Sequence, residues 1–327
     1  MARRAKGIGL LSGGLDSILA VKVLQDQQID LVAITFATPF FGPAEGMAAG
    51  GMAGIETRAV DISEIHLEML KHPRYGYGSR INPCIDCHGL MLREAAKVLA
   101  AEGADFLFTG EVLGQRPMSQ RRDSLRSVEK LSGLTGRILR PLSAKLLPAT
   151  VVEEEGLVDR SRLLDIQGRS RRRQRELAAK YGLKEYPQPG GGCLLTYEGF
   201  ANRLRKLLEI CPGASVEDVE VVKWGRAFLL PGDVICMVGR NEGDNRRLES
   251  LAGVRNIVLR TSDHPGPVCV ILVLGGSFAL ETAGSLAASY SDAPQGTRVR
   301  IDWCGGGAAG NLLAESRPKE FFKGMLL

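Results

Sequence analysis

The chain has 327 residues, with 42 Lys and Arg against 37 Asp and Glu and a formal net charge of +5. A hydrophobic fraction of 44% and a charged fraction of 24% suit a globular protein of two or three cored domains. No apolar run reaches bilayer length, the basic start Met1–Lys6 leads into only a short glycine-broken stretch, and seven cysteines lack small-scaffold spacing, so a membrane span, a secretory signal and a disulfide framework are set aside for a cytoplasmic protein.

Residues 7–20 organise the chain. An apolar run ends in Ser12-Gly13-Gly14, and an amphipathic run begins at Asp16. This predicts a buried strand, a tight turn and a helix start. Glycines let backbone approach a ligand closely, and uncapped helix N–H groups bind anions. Ser12, Gly13, Gly14 and Ser17 therefore fit a phosphate group, with Asp16 holding magnesium beside it. The Gly-Lys-Ser/Thr ending of a Walker A loop is absent.

A second strand is expected at 29–36, and Thr38–Gly54 reads as a mobile loop over the nucleotide. Further strands are expected at 56–62, 104–109 and 138–142, with a short helix through Leu70 and another at 90–101. Alternating strands and helices predict an α/β fold with a doubly wound parallel sheet. Ligands of such sheets sit beyond the carboxyl ends of the strands, which places Ser12, Phe36 and Gly110 on one rim. Thr35 and Phe36 would flank an adenine ring there; a core role suits Phe36 equally.

Residues 160–209 carry 12 Lys and Arg against 5 Asp and Glu, whereas residues 1–159 carry 18 against 19. Arg169, Arg171, Arg172, Arg173 and Arg175 crowd one predicted helix. Arginine pairs with phosphate in a directed way, so this helix is expected to touch RNA backbone; a solvated face is the competing reading.

Cys84 and Cys87 stand three apart at a predicted helix start, where the helix dipole favours thiolates. Cys193 follows Gly190-Gly191-Gly192. Two readings of the residues stay open beside a cluster: zinc with His88 as fourth ligand, and no metal. Cys211, Cys236, Cys269 and Cys304 stand singly, and Cys236 and Cys269 sit in apolar strands as packing residues.

From about Val216 the pattern turns to short strands and turns, at 227–230, 233–238, 256–260, 268–274 and 298–303, with helices at 241–251 and 278–289. This reads as a smaller α+β module of about a hundred residues. The expected division is 1–160, 161–214 and 215–327.

Several segments resemble known families. Ser12–Ser17 resembles the pyrophosphate loop of the PP-loop ATP pyrophosphatases, which split ATP between the α- and β-phosphates. Thr109–Gln120 closely resembles a segment of the tRNA 4-thiouridine synthetases that faces the nucleotide and the uridine. That resemblance carries over Gln115 and Ser119, with Arg116, Arg121 and Arg122 as RNA contacts. The cysteine segments resemble those of 2-thiouridine synthetases. Their number, three, resembles the cluster-dependent thiolation enzymes, which implies a 4Fe–4S cluster on Cys84, Cys87 and Cys193. Val238–Asn241, Asn245 and His264–Gly266 resemble the NFACT RNA-binding domain, with Arg240, Asn241 and His264 facing RNA. The resemblance implies ATP-dependent tRNA uridine thiolation, with 4-thiouridine the expected product, Asp16 and the three cysteines catalytic, and ATP, magnesium, tRNA and a sulfur donor (sulfide or a cysteine desulfurase) as ligands and partners. The usual 4-thiouridine synthetases carry an RNA-binding domain before the PP-loop, which is not read here. A homodimer is compatible with it. The competing functions are 2-thiouridine synthesis by a persulfide relay through Cys87 and Cys193, a PP-loop ligase or amidotransferase acting on a small carboxylate, and a non-catalytic RNA adaptor.

Overall fold

A computed structural model describes residues 4–186, 192–272 and 279–327. The expectations attached to Met1–Arg3, Gly190, Gly191, Leu274 and Phe278 lie outside the described residues. The chain forms two compact units, Met1–Leu194 and Leu195–Leu327. The expected 161–214 segment is therefore shared between them.

The first unit runs β1 (Lys6–Leu10), α1 (Leu15–Gln25), β2 (Asp30–Ala37), α2 (Ala44–Ala53), β3 (Glu56–Asp61), α3 (Ser63–Lys71), α4 (Cys84–Ala101), β4 (Phe106–Thr109), α5 (Arg122–Ser132), β5 (Ile138–Leu139), α6 (Val151–Glu154) and α7 (Arg172–Lys180). All five strands are parallel, in the order β3-β2-β1-β4-β5. Period-two alternation explains the two faces of β1. Ile8 and Leu10 join one apolar cluster, while Gly7 and Gly9 leave room on the other face for the rings of Phe106 and Phe108. A Cβ on Gly7 would stand 2.8 Å from the Phe106 ring.

The stretch read as a mobile loop, 38–54, contains the helix α2. Its small residues are a contact surface rather than a source of freedom. Gly46 lies against Thr35 and the Leu11 carbonyl, and Gly50 against Thr57, so any side chain at either position would collide. Gly54 ends the helix in the left-handed region, at φ 71°.

The second unit contains α8 (Glu198–Ile210), α9 (Val216–Val222), β6 (Arg226–Leu230), β7 (Val234–Val238), α10 (Glu242–Leu251), β8 (Ile257–Thr261), β9 (Cys269–Leu272), α11 (Leu280–Ser289), β10 (Arg298–Gly305) and β11 (Ala308–Glu315). Its sheet is antiparallel, in the order β11-β10-β8-β9-β7-β6. Strand β11 is absent from the sequence expectation, because Ala308-Ala309-Gly310-Asn311 carries no strand-forming pattern. It is recruited by the full register with β10, from Arg298 opposite Glu315 to Gly305 opposite Ala308. Cys236 and Cys269 are buried in this core, as packing residues should be.

Candidate active site

Strands β1 and β4 are neighbours, with Leu10 opposite Thr109, so the turns that follow them meet. Ser12 is exposed at the turn, and Gly13 adopts φ 86°, a conformation that favours glycine. Gly14 is the N-cap of α1, and no side chain caps that helix. Its first turn is thus open to an anion. Ser17 is buried and donates its hydroxyl to the Gly14 carbonyl at 2.7 Å, which tightens the turn. Gly110 packs directly on this backbone: a Cβ there would lie 2.5 Å from the Ser17 nitrogen.

Asp16 is held from two directions. Its Oδ2 accepts from Gln115 Nε2 at 2.7 Å and from Arg171 Nη2 at 3.4 Å. Gln174 supports Gln115 from α7 at 3.3 Å. Asp16 Oδ1 is buried and has no hydrogen-bond partner among the described residues. A buried carboxylate oxygen left over in this way fits a hard cation, so the residues present suit magnesium at Asp16.

Thr35 is buried beside Gly46, and Phe36 packs among Ile8, Ile34, Ile62 and Leu107, the core role that the sequence also allowed. Ser119 is 2% exposed. Closure of its loop falls to Gln120, which accepts from the backbone of Arg116 and Gly114.

The arginines expected on RNA divide into groups. Arg171 turns to Asp16, Arg172 pairs with Glu176, and Arg173 pairs with Asp165. Arg122 Nη2 donates to the Leu146 carbonyl at 3.0 Å. Arg116, Arg121, Arg169 and Arg175 are exposed. In the second unit Arg240 grips Asp244 through Nε and Nη2, at 2.6 and 3.3 Å. Asn241 caps α10 by accepting from Asp244 N, and Asn245 Oδ1 accepts from Val268 N. Those two asparagines serve the fold, and His264 offers its carbonyl to Thr261.

The cysteine turn opens α4, whose N-cap is Pro83. Asn82 Nδ2 donates to Cys84 Sγ at 3.1 Å, and Asp86 ties the preceding loop by accepting from the backbone of Arg74 and Tyr75. The expectation of a favoured thiolate meets an opposing effect at Cys87. Burial, then the charges of Cys193 and Cys84, push its thiol well above the usual range. The same influence puts Cys84 and Cys193 each within electrostatic reach of Cys87.

Two contacts bring the Cys193 segment to this place. Leu194 N donates to the Phe40 carbonyl at 3.0 Å, and the rings of Phe40 and Phe41 lie against His66, which meets Cys87 Sγ through Nε2 at 3.2 Å. A Cβ on Gly192 would lie 3.8 Å from Glu45 Oε2, and a Cβ on Gly13 would strike Glu45 itself. One residue thus lies against both the turn after β1 and the third cysteine segment. Sequence reading missed Glu45, although it is the lone charge in residues 38–54.

A second missed group lies behind the turn. Glu111 accepts from Arg140 Nε at 2.9 Å and from Thr109 Oγ1 at 3.1 Å, and meets His88 Nδ1 at 2.8 Å. Burial alone would raise the Glu111 carboxyl, but Arg140 and His88 hold it down to about 2. Glu111 therefore links the loop after β4 to the residue that follows Cys87.

Among the described residues, no group of three or more His, Cys, Asp or Glu side chains stands at metal-holding spacing. The donor chemistry at Cys84, Cys87 and Cys193 nonetheless fits a soft metal or an iron–sulfur cluster. Cys193 and Cys84 both act on the Cys87 thiol, with Asp86 a smaller influence, and thiol sulfurs are soft ligands.

Residues 225–313 match the model of the NFACT protein RNA binding domain. This covers β6 through most of β11. No curated protein matches the sequence. Among solved structures, a predicted subunit of tRNA methyltransferase from Methanocaldococcus jannaschii is 15% identical, covers 65% of this chain and 91% of its own, and has a TM-score of 0.37. The C-terminal part of a fibronectin/fibrinogen-binding protein from Streptococcus suis is 14% identical, covers 80% of this chain and 94% of its own, and has a TM-score of 0.29. Among the described residues no helix is long and apolar enough to cross a membrane.

Proposed function

We propose that this chain is an ATP-dependent tRNA uridine thiolation enzyme, with 4-thiouridine as its product. The observation that carries the proposal is the joining of the phosphate turn to the cysteine segments. Glu45 spans Gly13 and Gly192, and Cys87 feels both Cys84 and Cys193. An enzyme that only adenylates a small carboxylate has no need for three sulfurs there.

In this reading the turn Ser12–Ser17 would hold the phosphates on uncapped N–H groups, and Asp16 would hold magnesium, which would supply positive charge beside them. The uridine O4 attacks the α-phosphorus, the bond to the β-phosphate oxygen breaks, and pyrophosphate leaves. Sulfur then forms a bond to C4, and AMP leaves with the former uridine oxygen. The protein's part is positioning and electrostatic stabilisation of developing phosphate charge. Gln115 and Arg171 fix Asp16 for that purpose. Cys84, Cys87 and Cys193 would hold a 4Fe–4S cluster, which supplies an iron able to carry sulfide. The NFACT-like unit would bind the tRNA.

The test is anaerobic reconstitution with ATP, magnesium, tRNA and sulfide. Expected are iron in the protein and one AMP, one pyrophosphate and one 4-thiouridine formed together. Cys84→Ala, Cys87→Ala and Cys193→Ala should each abolish thiouridine, while Cys211→Ala should not. A 2-thiouridine product without iron would replace this reading with the persulfide relay. Unchanged tRNA nucleosides, with AMP formed on a small carboxylate, would replace it with the ligase. Binding of tRNA with no pyrophosphate released would leave an RNA adaptor.

A further inference from the structure

The pair formed by His66 and Cys87 belongs to none of the roles assigned above. His66 lies on α3, fully buried, with its neighbours Leu67 and Leu70 also in the core. Its Nε2 is 3.2 Å from Cys87 Sγ, and its buried Nδ1 has no partner among the described residues. The rings of Phe40 and Phe41 flank it, at centroid distances of 5.4 and 5.7 Å.

The unpaired nitrogen decides which ring atom carries the proton. A proton on Nδ1 would leave an unpaired N–H donor in the core, and buried N–H groups without partners are rare. A proton on Nε2 leaves only a bare lone pair there and gives the N–H a sulfur to meet. A neutral thiol is a weak acceptor, whereas an ionised one makes a much stronger hydrogen bond. The donor is thus aimed at the Cys87 sulfur, and the contact would strengthen whenever that sulfur becomes a thiolate, a persulfide or a metal ligand.

We infer that His66 is a positioning residue for Cys87, donating its Nε2–H to the sulfur and so favouring an electron-rich sulfur in a fixed direction. The inference rests on Cys87 being a working sulfur of the proposed site. Partners of this kind, one shell behind a metal ligand, change affinity by roughly 10–100-fold when removed.

The experiment uses the full-length, metal-free protein, ¹⁵N-labelled only at its four histidines. The His66 ring signals are those that vanish in His66→Gln. Expected are a proton on Nε2, a bare lone pair on Nδ1, and a shift of the Nε2 signal in Cys87→Ala. A proton on Nδ1, or an Nε2 signal indifferent to Cys87→Ala, overturns the inference. A second arm adds Co²⁺ alone. His66→Leu should weaken binding by about 10–100-fold, and His66→Gln, which keeps an N–H donor, should retain most of it. Equal losses in both variants, at unchanged melting temperature, would also overturn the donor role. If the wild-type protein takes up no Co²⁺, the metal reading of the site falls, and the labelled histidine decides the hydrogen bond.

Discussion

Gly110 is seated on the backbone of Ser17, close enough that a Cβ would lie 2.5 Å from the Ser17 nitrogen and 2.6 Å from the Asp16 carbonyl carbon. Neither atom is the end of a flexible side chain, so neither gives way cheaply. Gly110→Ala should therefore push the loop after β4 away from the start of α1. Overpacking of this kind costs about 1–3 kcal/mol. The expected outcome is a lower melting temperature together with weaker ATP binding by calorimetry. An unchanged ATP affinity would show that the turn does not hold the phosphates.

Arg171 differs from the other arginines of its segment. It pairs with Asp16, whereas Arg172 and Arg173 pair with exposed acids and Arg169 and Arg175 face solvent. Arg171→Ala should impair ATP-dependent pyrophosphate release and leave the salt dependence of RNA binding unchanged. Arg169→Ala and Arg175→Ala should do the reverse, each lowering the log–log salt slope by roughly 0.7–0.9 if it contacts one phosphate. Filter binding at several salt concentrations, beside a pyrophosphate assay, reads both.

Two buried groups set successive steps in acid stability. The His66 imidazole has its pKa lowered from 6.5 to about 4 by burial. Its neutral form is the folded one, so its contribution is complete above the unfolded value and is lost as pH falls from 6.5 towards 4. Glu111 is held down from 4.5 to about 2, so its contribution is complete above 4.5 and is lost as pH falls towards 2. Chemical denaturation should therefore show a decline beginning below neutrality and a second one in stronger acid. His66→Phe should remove most of the first. Glu111→Gln removes the more deeply buried of the two carboxylates paired with Arg140, Glu129 being the other, and should lower stability at neutral pH.

The parallel sheet was legible because Gly7–Leu10, Leu31–Phe36 and Phe106–Thr109 are short apolar runs that end in turn residues. The turn from β1 into α1 was legible for the same reason, since Ser12–Ser17 is a local motif. Helix α2 was hidden because glycine and alanine have the composition of a loop, and their use as a contact face depends on Thr35 and Thr57 from other strands. Glu45, His66 and the Glu111–Arg140 pair were hidden because each acquires its role from a residue distant in the chain. The pairing of Arg171 with Asp16 was hidden because a run of arginines does not show which member has an acid to meet. That acid, Asp16, lies 155 residues away.

Arg240 offers a way to separate charge from placement in the NFACT-like unit. Its Nε and Nη2 are engaged by Asp244, which also accepts from the Arg240 backbone and is itself capped by Asn241. The guanidinium is therefore held in one direction, which suits directed contact with phosphate. Arg240→Ala removes both the cation and the contact, so RNA affinity and the salt slope should fall together, the slope by about 0.7–0.9. Asp244→Ala keeps the cation but frees it. Affinity should then fall through lost preorganisation while the slope stays near wild type. Arg240→Lys keeps the charge without the fork and should behave like Asp244→Ala. Salt titrations of the three variants against one RNA decide the matter: identical slopes and affinities throughout would place the RNA elsewhere on the unit.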